Sequence, residues 1–64
     1  MRIDRKKLIV TMLDKNQNVL QLAERSGVSR TTISGVKCGK SCSPATAEKI
    51  ANALGVPLKS LTVD

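Results

Sequence analysis

Sixty-four residues make room for one domain and a modest hydrophobic core, so helix ends must be well capped for the chain to fold without staples. Eleven Lys and Arg against five Asp and Glu leave a net charge of +6, which suits a polyanionic partner. The absence of Phe, Tyr, Trp and His removes the stacking platforms of single-strand readers, the usual general base and the commonest metal ligand, so enzymatic readings lose most of their support.

Asp4 is placed to cap a first helix over Arg5–Lys15, whose pattern buries Leu8 with Met12 and Ile9 with Leu13. The polar run KNQN reads as a turn. Asn18 then caps a second helix, and Gln21, three residues on, completes an Asn version of the capping box. This helix runs to about Arg25 and stops at Ser26-Gly27. Ser29 caps a third helix that ends near Lys37, ahead of Gly39. Ser43 followed by Pro44 opens a fourth, because proline's missing N–H costs nothing in a first turn. Its segment, PATAEKIANAL, buries Ala47, Ile50, Ala51 and Leu54 and stops at Gly55. Val56-Pro57 starts a short fifth helix with Leu58 and Leu61 turned inward. The expectation is an all-α fold of five short helices in a single domain over residues 1–64.

Residues Val19 to Cys38, VLQLAERSGVSRTTISGVKC, read as a helix-turn-helix. Ala23 is small where two helices cross, Gly27 supplies the left-handed backbone of a tight turn, and Val28 plugs that turn. Ile33 and Val36, three apart, bury one face of the second helix, while Arg30, Thr31, Ser34 and Lys37 leave the other face polar. From Arg25 to Ala47 there are four basic residues and no acid, which sets the positive field around that face. No apolar stretch approaches the roughly 20 residues of a membrane span, and LIVTML after the basic start lacks a small-residue cleavage site. Neither a span nor a signal peptide is expected, and the expected location is cytoplasmic.

With LAERSGVSRTTIS followed at this spacing by SPATAEKIANALGV, the chain resembles the lambda-repressor-like helix-turn-helix domains, the Cro and phage-repressor (XRE) family, from about Leu8 to Leu61. The resemblance implies a five-helix DNA-binding domain whose recognition helix, about residues 30–38, enters the major groove. It implies base reading from the start of that helix, where Arg30 and Thr31 stand, and one turn on at Ser34. It further implies backbone contacts at the start of helix 2, at Asn18, and from the end of helix 3 and its loop, at Lys37 and Lys40, with Ser29 and Thr32 beside them. Arg30 can donate two parallel hydrogen bonds to guanine O6 and N7, and Thr31 and Ser34 can donate or accept. Three positions depart from the family's pattern. Val19 stands where Gln is frequent, Gly35 where a polar residue is, and Cys38 where Asn or Arg is.

The expected function is a sequence-specific regulator of transcription on double-stranded DNA, a Cro-like repressor binding its operator as a homodimer and occluding the promoter. The resemblance points to a phage or mobile element as its setting. The dimer contact is expected from the helix 4–5 region and Leu58 to Val63. A second reading, a protein-interaction module of the same fold with weak, sequence-indifferent DNA binding, covers antitoxins, bridging factors and recombination accessories. Cys38 and Cys42 cannot complete a tetrahedral zinc site without further ligands. Cys42 is expected as a plain packed thiol and Cys38 as the more exposed one. No cofactor, metal or small-molecule ligand is expected. Leu20 falls toward solvent, and with Val10 and Leu58 it would form a small contact patch. Arg2, Arg5, Lys6 and Lys7 form a basic head that reads equally as a flexible arm on the DNA backbone or as a solvated helix start.

Overall fold

Among the described residues four α-helices form, each where side chains can satisfy the N–H groups its first turn leaves open. The computed structural model describes residues 2–62. Helix α1 spans Arg5–Asp14, α2 Val19–Ser26, α3 Arg30–Lys37 and α4 Pro44–Leu54. Asp4 Oδ1 accepts from the backbone N–H groups of Lys6 and Lys7, at 2.9 and 3.3 Å, ahead of α1. At α2 the capping box is complete: Asn18 Oδ1 accepts from Gln21 N–H at 2.8 Å, and Gln21 Oε1 accepts from Asn18 N–H at 3.0 Å. Ser29 and Ser43 cap α3 and α4 by accepting from Thr32 N–H and Thr46 N–H, each at 3.2 Å. The turn between α2 and α3 needs Gly27, whose φ of 74° an L side chain adopts only with strain.

The helices wrap one core. Helix α2 packs on α3 and α4, and α1 lies on α3. Leu8 and Met12 of α1, Leu22 of α2, Ile33 and Val36 of α3, and Ala47, Ile50, Ala51 and Leu54 of α4 are all buried there, with Val28 plugging the turn. Ala23 packs against this cluster from its edge, as its small side chain at a helix crossing requires.

Two expectations are corrected. The fifth helix is a single 3-10 turn, Leu58–Ser60. It stops at Leu61, whose side chain is fully buried and whose carbonyl accepts from Asp4 N–H at 2.7 Å instead of continuing the helix. Ile3 and Thr62 pair there in an isolated antiparallel bridge, so among the described residues the regular structure is all-helical apart from this clasp. Second, Leu13 is not buried beside Ile9. It is 75% exposed and Ile9 is half-buried, because only the Leu8–Met12 stripe of α1 faces the core. Helix α1 also ends one residue earlier than expected, with Lys15 as its cap. Of the two readings of the basic head, the solvated helix start holds for Arg5, Lys6 and Lys7, which are exposed in the first turn of α1, with exposed Arg2 ahead of them. Ile3 is 1% exposed, sealed under the clasp, and Lys7 Nζ donates to Thr62 O at 2.9 Å.

Candidate nucleic-acid interface

Helix α3 presents a polar face because Ile33 and Val36 hold the opposite side in the core. Arg30, Thr31 and Ser34 are all exposed, and helical spacing puts Thr31, Ser34, Gly35 and Cys38 along the outward line. Arg30 stands at the first position of α3, where the nearby N–H groups and the positive end of the helix dipole add to its charge. Ser29 and Thr32 are engaged with each other, their hydroxyls 2.8 Å apart, so they brace the start of the reading helix while remaining exposed.

Two further groups flank this line. On one side Asn18, Val19 and Lys37 border a groove of about 440 Å³ whose wall also includes Ile9, Met12, Leu13, Gln17 and Leu20. Lys37 is half-buried there, its stem against apolar carbon and its charge available to solvent. The capping box ties up Asn18 Oδ1 and the Asn18 N–H, so the donors this lip can offer a phosphate are Asn18 Nδ2 and the first open N–H groups of α2. On the other side Thr31, Thr32, Gly35 and Lys40 border a depression of about 290 Å³ that also includes the start of α4, at Ser43 and Thr46. The structure thus gathers Asn18 with Lys37, and Thr31 and Thr32 with Lys40, on opposite flanks of the outward line.

Sequence reasoning singled out the basic head but not where two of its members sit. Arg2 and Arg5 border a depression with Cys38 and Gly39 at the end of α3. Ile3, an apolar residue amid charges, was the available signal, since burying it draws Arg2 and Arg5 toward α3. The thiols stand as expected: both are unpaired, Cys38 exposed and Cys42 half-buried against the core. Leu20 and Val10 are exposed at 52% and 64%, while Leu58 packs partly against the core and does not join them. Among the described residues no helix is long and apolar enough to cross a membrane.

A reading helix with one buried face, braced across a glycine turn by a second helix, defines the helix-turn-helix class of DNA-binding domain. A helix-turn-helix family model matches residues 5–61, and the chain belongs to this lambda-repressor-like (XRE) family. No curated protein and no solved structure matches the chain.

Proposed function

We propose that this chain is a sequence-specific regulator of transcription that reads double-stranded DNA with α3 in the major groove. The observation that carries the reading is the outward line of α3, polar and acid-free, with basic lips on both flanks. In this reading Arg30 forks onto guanine O6 and N7, a contact that discriminates by about 1–3 kcal/mol, and Thr31 and Ser34 meet neighbouring base edges. Asn18 and Lys37 hold phosphates on one strand, and Ser29 and Thr32 hold the entry of α3 against the other. The regulator acts as a Cro-like repressor: two copies on a two-fold operator cover a promoter and keep polymerase from it. Half-sites about 34 Å apart put both reading helices on one face of the duplex.

The test is titration of labelled duplex from upstream of the chain's own gene, beside a scrambled duplex, at two salt concentrations. Detection follows the DNA, because a chain without Trp or Tyr barely absorbs at the usual wavelength. Binding at least about tenfold tighter to the native duplex (~1.4 kcal/mol), with a steep salt slope on both, supports an operator reader. Equal and weak binding to both rejects specific reading at that site.

A protein-interaction module remains the second reading because Leu13, Leu20 and Val10 leave apolar surface uncovered around α1 and the start of α2. Leu13→Ser separates the two. The regulator reading expects unchanged DNA titration, whereas an interaction module loses its partner with DNA binding weak throughout.

A further inference from the structure

Lys40 occupies the space that Gly35 leaves vacant on the reading helix. A Cβ at Gly35 would stand 3.3 Å from Lys40 Cδ, 3.9 Å from its Cβ and 4.0 Å from its Cγ, so the lysine stem lies across α3 at the position without a side chain. The backbone holds it there. Gly39, with φ of 100°, turns the chain back, and Lys40 N–H donates to Gly35 O at 2.9 Å. Lys40 is therefore held by its main chain, its stem rests beside Gly35, and its ammonium lies two bonds beyond the carbon nearest that position. Thr31, one helical turn before Gly35, borders the same depression.

We propose that Lys40 is a base-reading residue: its side chain crosses the recognition helix at Gly35 and takes the place of the missing reader there, rather than clamping a phosphate. The inference rests on the proposal that α3 enters the major groove. A phosphate clamp stands at the margin of the reading face, as Lys37 does against the α1–α2 groove. Lys40 comes from the opposite flank, but its stem reaches the outward line itself at Gly35, in the depression that Thr31 also borders. An ammonium carries three donors and no acceptor, so it selects base edges rich in acceptors, guanine O6 and N7 above all. The preferred site then carries a guanine specified from the loop after α3, in addition to the one specified by Arg30. A lysine on phosphate carries no sequence information, which makes the two roles separable.

The experiment selects bound duplexes from a randomised pool with the full chain, the variants Lys40→Met and Gly35→Ala, and Lys37→Met as the contrast. The wild-type chain is expected to enrich a defined site. Lys40→Met keeps the stem and drops the charge; it should flatten one guanine position, from a preference of about tenfold or more to about twofold or less, and leave the others intact. Gly35→Ala pushes on the Lys40 stem and should alter the preference at that same position. Lys37→Met should weaken all sequences alike. If Lys40→Met also weakens all sequences alike, with every base preference retained, Lys40 is a phosphate clamp and the proposal is overturned. If the wild-type chain enriches no site, the regulator reading fails first, and that result is visible before any variant is compared.

Discussion

Under the proposed docking, Arg30 and Gly35, five residues apart on α3, divide base contact from folding. Arg30 is exposed and makes no contact the core depends on, so Arg30→Ala should leave thermal stability unchanged. In a titration it should weaken the selected duplex by about 1–3 kcal/mol and relax one base position. Arg30→Lys should recover little, since an ammonium cannot supply the planar fork. Unchanged affinity in both variants would remove Arg30 from the reading face. Gly35 behaves oppositely. It sits inside a helix at ordinary backbone angles, and only the flexible Lys40 stem opposes a methyl group there. Gly35→Ala should therefore stabilise the fold by about 0.5–1 kcal/mol, seen as a rise of a few degrees in melting temperature, while it disturbs sequence preference. Cys38 lies on the same outward line and is the exposed thiol. A bulky thiol reagent should modify it well before Cys42, and the modified protein should lose DNA binding; Cys38→Ser should keep binding and lose the fast-reacting thiol.

At the scale of elements, the caps were the most legible part of the chain. Asn18 with Gln21, Ser29, and Ser43 with Pro44 each announce a helix start by local chemistry, and each start is found where that chemistry puts it. Local signals suffice because a cap is closed by residues two or three positions away. Leu13 and the last helix were misjudged because they depend on partners far along the chain. Periodicity alone cannot reveal that no element covers Leu13, or that Leu61 gives its carbonyl to Asp4. The place of Arg2 and Arg5 was hidden for the same reason: their position beside Cys38 follows from Ile3 being buried. The positions of Arg30, Thr31 and Ser34 were legible, since the buried pair Ile33 and Val36 determines which side of α3 faces out. The caps also differ in what they support. Ser43→Ala should cost about 1 kcal/mol of stability, measured by thermal unfolding, with no comparable loss on DNA. Asn18→Ala should cost a similar amount and, if Asn18 meets a phosphate as proposed, also weaken every duplex alike.

For the whole molecule, size limits how two copies can meet. The backbone measures 25 × 21 × 18 Å, less in every direction than the roughly 34 Å between half-sites on one face of a duplex. Two copies centred on such half-sites touch only along their edges, and each repels the other with a net charge of +6 until DNA neutralises it. The chain should therefore sediment as a monomer alone and bind an intact operator as two copies, with the second binding more tightly than the first. A stable dimer without DNA would contradict this picture. Of the dimer contact expected from Leu58 to Val63, Val63 lies outside the described residues; Leu58 gives part of its surface to the core. The pairing of Ile3 with Thr62 has one more consequence, for the order of the chain itself. Because residues at opposite ends of the sequence already lie side by side, joining them by a short linker would close little additional loop entropy. The polypeptide could then be opened at the exposed turn around Asn16, making a circular permutant in which α2, α3 and α4 come first and α1 last. The reading head would remain continuous in such a permuted chain, since every residue from Asn18 to Lys40 stays on one side of the cut.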